Sequence, residues 1–282
     1  MSRGAAGTLM VALGAIEWGT WALFLRGHGL PPAWQSVMIL CAVTLVWIAP
    51  AARDTRVRPR RPAAAWALLA ACALTDAANY ISYFGALDRG PIALAVLTHY
   101  LAPLVVAGLS PLMLREKLTV RTQVCLGVSL AGLALLVLGD GGLPRASAVT
   151  ATAGSLSALF YGLNTLCTKK ALDHFSAAEL LAYHCIAAAA IVAPVAGPMP
   201  PLRAFVVSPL TGAVLIGGGG AALFYAGLSR VPASRAAVLT YLEPLVASFV
   251  GFLVFSEPLG PAGMAGGALI LAGGAAVAVA RD

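Results

Sequence analysis

The sequence predicts an all-α integral membrane protein whose ten transmembrane helices form two inverted five-helix repeats. Three observations indicate this fold class: an apolar composition, ten apolar segments of membrane-spanning length, and an internal repeat. Of the 282 residues, 60% are hydrophobic and only 10% are charged, and the mean hydropathy is +0.89. Because soluble domains carry about 25% charged residues, a soluble fold of this length would lack the charge to cover its surface.

Ten segments of the chain are long and apolar enough to be transmembrane helices, which need about 20 mostly apolar residues to cross a bilayer. Charged or Pro- and Gly-rich breaks place them at approximately 5–25, 32–50, 63–87, 91–114, 120–138, 148–169, 177–197, 207–229, 232–255 and 260–280. The segments are much longer than the strands of a membrane barrel and lack their alternating pattern. The connections between them are short, so the chain has no room for a soluble domain.

The two halves of the chain are similar in sequence at an offset of 141 residues. Leu87–Leu118 aligns with Leu228–Leu259, and twelve of these 32 positions are identical. The identical pairs include Arg89 and Arg230, Pro91 and Pro232, Tyr100 and Tyr241, Pro103 and Pro244, and Glu116 and Glu257. We therefore predict a first repeat at residues 1–140 and a second at 141–282, with five helices each. Because five is odd, the second repeat enters the membrane in the opposite orientation, as in many secondary transporters that work by alternating access.

Lysine and arginine are unevenly divided between the two sets of loops. With a cytoplasmic N-terminus, the inside loops hold 14 of the 18 basic residues, and the outside loops hold only Arg26, Arg89, Arg145 and Arg203. Because basic loops stay on the cytoplasmic side, both termini are predicted to be cytoplasmic. A nucleic-acid-binding protein carries its basic residues along an aqueous face, whereas here they form short clusters between apolar segments. Nucleic acid is therefore excluded as a partner.

The sequence contains no motif of soluble enzyme or cofactor chemistry. The five cysteines all fall inside apolar segments without metal-like spacing. A Walker A motif, a GxSxG elbow and an HExxH motif are all absent from the sequence. We therefore predict no cofactor, no metal and no catalytic residue. An intramembrane enzyme or lipid-binding protein is the alternative class, but it would need a cluster of catalytic residues that the sequence does not contain.

Two related motifs, HYLAPL at His99–Leu104 and TYLEPL at Thr240–Leu245, are each followed by a glutamate, Glu116 or Glu257. They resemble the paired signatures of the EamA group of the drug/metabolite transporter superfamily, and the resemblance covers essentially the whole chain. Glu17–Gly27, His99–Pro103 and Leu159–Ala171 further resemble the bacterial aromatic amino acid exporters of that superfamily.

This resemblance implies a secondary transporter that exports aromatic and other apolar amino acids across the bacterial inner membrane. The alternative cargo is a cationic drug, a nucleoside or another small metabolite. The acids at Glu17 and Asp76, which depart from the family pattern, make a cation plausible. We expect the chain to act as a monomer, with the lipid bilayer and a small-molecule substrate as its partners.

Ionisable residues at membrane depth are costly and usually face a cavity. Glu17 lies in the middle of the first segment, one turn before Trp21, and either contacts a substrate ammonium, switches its protonation, or is a neutral acid bonded to a neighbouring helix. Asp76, Asn79, Tyr80 and Tyr83 are spaced i, i+3, i+4 and i+7, so they share one helical face. Such a face cannot point at lipid without leaving polar groups unsatisfied. It therefore lines a cavity or joins helices.

Further candidates lie on the fourth, sixth and ninth segments. His99, whose ring could couple to protons or bond between helices, is followed by Tyr100. Tyr161 and Asn164 form an i, i+3 pair, and Glu243 belongs to the second motif, with either a structural or a direct role. The predicted substrate-binding set is Glu17, Trp21, Asp76, Asn79, Tyr80, Tyr83, His99, Tyr100, Tyr161, Asn164 and Glu243.

Two more features complete the prediction. Pro103 and Pro244, at matched repeat positions, each remove a helix hydrogen bond and are predicted to be the bending points of two gates. Tyr183 and His184 are adjacent on the seventh segment and cannot share a face, so both are left out of the predicted site.

Overall fold

The computed structural model describes residues 2–54, 61–139, 148–205 and 207–279, which form helices and connections without a strand. The α-helices are α1 (Arg3–Trp18), α2 (Ala22–Leu25), α3 (Pro32–Ala52), α4 (Ala63–Leu87), α5 (Ile92–His99), α6 (Ala102–Met113), α7 (Val120–Leu138), α8 (Ala148–Ala171), α9 (Ala177–Val192), α10 (Val207–Gly212), α11 (Ala221–Leu228), α12 (Ala233–Leu239), α13 (Leu242–Phe255) and α14 (Pro261–Ala278). A π-helix, Ala213–Gly220, joins α10 to α11, and short 3-10 helices lie at Ala193–Val195 and Leu202–Ala204. The predicted boundary between the repeats, at 140/141, lies outside the described residues.

Nine helical segments of the described chain are long and apolar enough to cross a membrane. They are Arg3–Leu25, Pro32–Ala52, Ala63–Leu87, Ile92–Met113, Val120–Leu138, Ala177–Val195, Val207–Leu228, Ala233–Phe255 and Pro261–Ala278. These nine correspond to nine of the ten predicted segments. The one remaining predicted segment, 148–169, is sixth in chain order and forms the 24-residue helix α8. This helix is long enough to cross a membrane but is less apolar than the other nine.

The polar character of α8 has a structural reason. Its sequence contains four threonines, two serines and Asn164. The helix packs against α4, α5, α6, α11 and α12, and polar residues such as Thr150, Ser157 and Thr168 are buried between them. A helix enclosed by protein on most sides does not need the lipid-compatible surface that defines an ordinary spanning segment.

Several predicted segments are interrupted within the bundle. The first breaks between α1 and α2, where Gly19 packs so closely that a methyl group on it would lie 2.6 Å from the carbonyl oxygen of Glu243. The fourth breaks at Tyr100–Leu101, just before Pro103, and the ninth breaks at Thr240–Tyr241, just before Pro244. The two proline-associated breaks therefore lie at matched positions of the sequence repeat.

Ion pairs at the loops that join the helices show which helix ends lie together, and they define two ends of the bundle. At one end, Arg26 Nη1 lies 2.6 Å from Glu257 Oε1. At the other end, Lys169 Nζ lies 3.3 Å from Glu116 Oε1, and Arg61 Nη2 lies 2.5 Å from Glu179 Oε1. We call these the Arg26 end and the Lys169 end of the bundle. Consecutive long helices run in alternating directions between them.

The helices α7 and α14 pack closely because each presents glycine to the other. A methyl group at Gly132 would lie 2.6 Å from the carbonyl oxygen of Gly266 and 2.9 Å from Cβ of Leu269. Such close backbone approach is typical of helix pairs in membranes, where small residues provide the interface. A methyl group added to Gly127, on the same helix, would have no neighbouring atom within 4 Å.

Gly132→Ala is therefore expected to lower the melting temperature of the purified protein in detergent by several degrees. Overpacking a tight interface costs about 1–3 kcal/mol, and α14 has no room to move while α12 and α13 also pack on it. Gly127→Ala adds the same methyl group to open space and is the matched control. Equal melting temperatures for the two variants would contradict the close packing of α7 and α14.

Candidate functional site

A cavity of about 450 Å³ lies in the middle of the bundle, within the size range of small-molecule sites. It is enclosed by α1 to α5, α8, α9, the π-helix, α11 and α13. Nine of the eleven predicted substrate-binding residues line it: Trp21, Asp76, Asn79, Tyr80, Tyr83, His99, Tyr161, Asn164 and Glu243. Among the described residues, no group of three or more His, Cys, Asp or Glu side chains could hold a metal ion.

The cavity reaches the Arg26 end of the bundle. Its lining includes Leu25, the last residue of α2, Pro32, the first residue of α3, and Leu87, the last residue of α4. These three residues mark where their helices end, so the cavity continues from the bundle centre to this end.

The Lys169 end is tied together by a polar network across both halves. Lys169 Nζ donates to the carbonyl oxygens of Leu228 at 2.8 Å and Val231 at 2.5 Å, and it also lies 3.3 Å from Glu116 Oε1. The second carboxylate oxygen of Glu116 accepts the backbone N–H of Ala233, at 2.7 Å, where α12 begins. The Lys169 and Glu116 side chains are each only 17% exposed. This network joins α6, α8, α11 and α12.

The glutamate that matches Glu116 in the second repeat has a different environment. Glu257 pairs with Arg26, and both side chains are 50% exposed. By the 141-residue offset, the counterpart of Ala233 is Ile92, whose helix α5 begins at the Arg26 end. Matched glutamates therefore lie at opposite ends of the bundle, one in a buried network and one in an open ion pair.

In the wall of the cavity, a hydrogen-bonded chain runs from α5 through α8 to α4, with only its two end residues in the lining. His99 Nδ1 lies 2.7 Å from Ser157 Oγ, and Ser157 Oγ donates to Asn79 Oδ1 at 2.7 Å. Because Ser157 has one hydrogen and donates it to Asn79, His99 Nδ1 is the donor to Ser157. The neutral His99 ring then has Nε2 as a free acceptor, and Asn79 keeps its two amide hydrogens as donors.

Aromatic rings surround His99. The ring of Tyr161 is parallel to it at 5.3 Å between centroids, and that of Tyr83 is tilted at 4.2 Å. Tyr100 meets it edge-on at 5.1 Å. Farther along the cavity, Tyr80 stacks on Phe84 at 6.0 Å. This part of the cavity offers flat apolar surfaces beside a small number of fixed polar atoms.

A second polar group links α4 to α9 and α11. His184 Nε2 lies 3.4 Å from Asp76 Oδ2 and 3.2 Å from the Tyr225 hydroxyl. His184 Nδ1 lies 2.6 Å from the carbonyl oxygen of Leu180, one turn earlier on α9. The His184 side chain is 2% exposed, and that of Asp76 is 15% exposed. All three of these side chains line the cavity.

Glu243 on α13 and Asn164 on α8 also line the cavity. The Glu243 carboxyl, at the start of α13, interacts with the side chain of Tyr100. Asn164 Nδ2 donates to the carbonyl oxygen of Cys72 at 2.8 Å, which ties α8 to α4. Because its amide already bonds backbone, Asn164 serves the packing of these helices as well as the cavity wall.

Two predicted binding residues, Glu17 and Tyr100, lie outside the cavity lining. Tyr100 is only 6% exposed and sits behind His99 and Glu243. The Glu17 carboxyl faces the π-helix, where a methyl group on Gly219 would lie 3.4 Å from Oε1. Its Oε2 atom is buried without a hydrogen-bond partner. The break after α1 turns Trp21, but not Glu17, toward the cavity.

Both proline-associated breaks meet near the bundle centre. The Tyr241 hydroxyl donates to the carbonyl oxygen of Tyr100 at 3.1 Å. These two tyrosines are repeat counterparts, so the halves contact each other through the same position of their motifs. Pro103 and Pro244 lie in the first turns of α6 and α13, and their gating role stays a prediction.

Sequence reasoning missed three polar residues of the cavity region. Ser157 was one hydroxyl among several on α8, and only its spacing of four and seven residues from Tyr161 and Asn164 indicated the same face. The orientation of His184 is ambiguous from the sequence because its neighbour Tyr183 would face a different side of the helix. Tyr225 lies in an apolar segment, where its only polar neighbour at helical spacing is Ser229, the last residue of that segment.

Comparisons with known proteins agree with this architecture. The model of the EamA-like transporter family matches residues 5–138 and 149–279. An uncharacterized transporter of Archaeoglobus fulgidus is 29% identical over 276 residues, which cover 95% of this chain and 94% of that protein. A solved structure, described only as the crystal structure of a protein, matches over 99% of both chains with a TM-score of 0.83 and 23% identity.

Proposed function

The chain belongs to the EamA-like transporter family, and on this premise we propose that it exports amino acids with aromatic or other apolar side chains across the bacterial inner membrane. The observation that carries the proposal is the central cavity of about 450 Å³, which combines aromatic surfaces with the His99–Ser157–Asn79 chain. The cavity forms within one chain, which supports a monomer as the transporting unit.

Alternating access between two inverted five-helix halves is the mechanism we propose, with α8 as the tenth spanning helix. The helix contacts support it, because they keep their pattern when the halves are exchanged. Counted as predicted spanning segments, the third packs on the sixth, which is the contact of α4 with α8. Exchange of the halves turns this pair into the eighth and the first, and α11 does pack on α1. The pairs α3–α9 and α7–α14 are their own counterparts. Together with the sequence repeat, this pattern favours a two-fold relation between the halves.

In the proposed orientation, the Lys169 end faces the cytoplasm and the cavity opens outward. The distribution of basic residues supports this, since Arg61, Arg121, Lys169 and Lys170 belong to the Lys169 end. Arg3, near the N-terminus, lies with Lys169 around a second, smaller pocket. Arg56, Arg58, Arg60, Arg145 and Arg281, which also entered the charge count, lie outside the described residues.

The polar atoms of the cavity are complementary to a free amino acid. The Glu243 carboxyl and the free Nε2 acceptor of His99 suit an ammonium group, and the Asn79 amide hydrogens suit a carboxylate. The rings of Tyr83 and Tyr161 form apolar surfaces on which an aromatic side chain stacks. Orientation of the substrate by a small number of polar atoms in an apolar pocket is the usual basis of specificity.

An organic cation is the second candidate cargo, and one observation favours it. Neither lysine nor arginine is among the cavity-lining residues in the described part of the chain, whereas Asp76 and Glu243 both line it. A substrate carboxylate therefore meets only neutral donors, while an ammonium group meets acids and aromatic faces, which attract cations.

Flux of three matched compounds in proteoliposomes tests both candidates. We expect counterflow of labelled phenylalanine, weaker counterflow of phenethylamine, which lacks the carboxylate, and none of phenylacetate, which lacks the ammonium group. Liposomes that contain the Tyr161→Ala, Tyr83→Ala double variant are the control for a specific site. Counterflow of phenethylamine but not of phenylalanine would show that the substrates are organic cations and not amino acids. Absence of flux for a full panel of amino acids and amines would overturn the proposal.

A further inference from the structure

The group formed by Asp76, His184 and Tyr225 is separate from the chain that joins His99 to Asn79. It lies on the same face of α4, one turn before Asn79, where Asp76 meets His184 of α9 and Tyr225 of α11 approaches that histidine. We propose that Asp76 and His184 form the binding site of a coupling proton, which drives substrate movement through the cavity. This inference rests on the proposed transport function and names its coupling ion.

The hydrogen positions of this group follow from its partners. The carbonyl oxygen of Leu180 can only accept, so His184 Nδ1, at 2.6 Å, carries a hydrogen. Nε2 is then the nitrogen that gains or loses a proton. It faces a carboxylate oxygen of Asp76 at 3.4 Å and the Tyr225 hydroxyl at 3.2 Å.

The geometry accommodates one additional proton. Without it, the Nε2 lone pair and the Asp76 carboxylate are two acceptors that face each other. The donors within reach of Nε2 are then the Tyr225 hydroxyl and the Cys185 thiol, whose sulfur lies 3.7 Å away. With it, the proton lies on Nε2 or on Oδ2 and joins the two residues in either position. The proton comes from water that enters the cavity from the Arg26 end, and no other bond forms or breaks.

The surroundings make this proton the main determinant of local charge. The titratable side chains that interact with the pair are Cys72 and Tyr80 on α4, Tyr161 on α8, Cys185 on α9 and Tyr225 on α11, and Cys41 on α3 lies next to Cys185. All are thiols or phenols, which carry no charge when protonated. The remaining ionisable residues of the lining are Tyr83, His99 and Glu243. Occupancy by one proton therefore changes the pair from a net charge of minus one to zero.

The position of the pair links its charge to the transport movement. Asp76 is on a helix of the first repeat, whereas His184 and Tyr225 are on helices of the second. Relative motion of the repeats changes the distance between them. Separation of an unprotonated carboxylate from its partners inside an apolar wall is costly, so protonation favours the states in which the halves can move. The same helix α4 positions Asn79 in the substrate site, so the two sites respond together.

A substrate-independent measurement tests the proton site directly. Protein labelled with ¹⁵N-histidine, purified in detergent, is titrated over about pH 5 to 8, the range of an ordinary histidine. We expect one buried histidine signal, absent from His184→Gln, to change its protonation within a range that moves in Asp76→Asn. A His184 signal that keeps one protonation state throughout, or that is unaffected by Asp76→Asn, would overturn the proposal. Tyr183→Phe, one residue away, is the matched control.

A second measurement tests coupling in proteoliposomes with the membrane potential clamped at zero. One pH unit corresponds to about 1.4 kcal/mol, so exchange of one proton per substrate drives about tenfold accumulation. We expect labelled phenylalanine to accumulate under one sign of the pH gradient in the wild type and in Tyr183→Phe. In His184→Gln, uptake with the gradient should equal uptake without it, whatever the absolute rate of flux. Wild-type counterflow without any gradient-driven accumulation would overturn the coupling proton but leave the transport function intact. Failure of counterflow for every amino acid and amine would instead overturn the transport function, and the titration would still decide whether the pair binds a proton.

Discussion

Lys169→Met is expected to open the Lys169 end of the protein and, at the same time, to close the Arg26 end. The substitution keeps an apolar chain of similar length but removes the ammonium group that bonds Glu116, Leu228 and Val231. Hydrogen bonds to charged groups contribute about 1.5–3 kcal/mol each, and about 1.4 kcal/mol is a factor of ten in an equilibrium. A population shift of at least about tenfold follows.

Hydrogen–deuterium exchange of the purified protein measures both ends in one experiment. In Lys169→Met, amides at the start of α12, near Ala233, are expected to exchange at least about tenfold faster because the Glu116 cap weakens. Amides at the start of α5, near Ile92, are expected to exchange more slowly, because Glu257 would cap that helix in the reciprocal state. Lys170→Met removes the neighbouring lysine of the same surface pocket and is expected to leave both ends unchanged. Faster exchange at both ends would indicate general destabilisation. It would contradict the expectation that the Arg26 end closes when the Lys169 end opens.

Ser157→Ala is expected to weaken substrate binding by about tenfold or more. In the described chain, the Ser157 hydroxyl is the group that links His99 to Asn79. Its oxygen lies 2.7 Å from His99 Nδ1 and 2.7 Å from Asn79 Oδ1, and Ser157 is fully buried. Its loss leaves a buried donor and a buried acceptor unsatisfied, at about 1–3 kcal/mol each. It also frees the imidazole to change its tautomer and the amide to rotate, so the donor and acceptor atoms no longer keep their arrangement.

The concentration dependence of phenylalanine counterflow checks this expectation. Ser157→Ala should raise the half-saturating concentration while the protein still folds, because the change removes one oxygen without adding bulk. Ser155→Ala, on the exposed side of the same helix, is the matched control and should behave as the wild type. Identical half-saturation for the two variants would show that the chain of hydrogen bonds has no role in binding.

The fold followed from the sequence because its determinants are local and repeated. Apolar segments of spanning length indicate helices wherever they occur, and nine of those predicted are present as apolar helices in the described chain. The 141-residue offset predicted matched features in both halves, and the breaks before Pro103 and Pro244 lie at matched positions. Helical spacing likewise predicted that Asp76, Asn79, Tyr80 and Tyr83 share a face, and all four side chains line one cavity.

The partners of these residues could not be read in the same way. Pairing of Asp76 with His184 depends on how α9 is rotated about its axis. Because Tyr183 and His184 are adjacent and point to different sides of α9, the sequence does not show which of them faces the cavity. The π-helix depends on a register change that glycine permits but does not require, and its glycines Gly219 and Gly220 lie against the Glu17 carboxyl. Such features arise from the fit of one helix to another, which a single segment does not encode.

The polar surface of α8 bears on how the chain reaches its membrane during synthesis. A segment with four threonines, two serines and an asparagine partitions poorly into lipid by itself, since each polar side chain lowers the free energy gained on insertion. Its partners α4, α5 and α6 precede it in the chain and are already present when it leaves the ribosome. The helices that precede α8 thus provide the surface on which it assembles, so we expect insertion of this helix to depend on the earlier part of the chain.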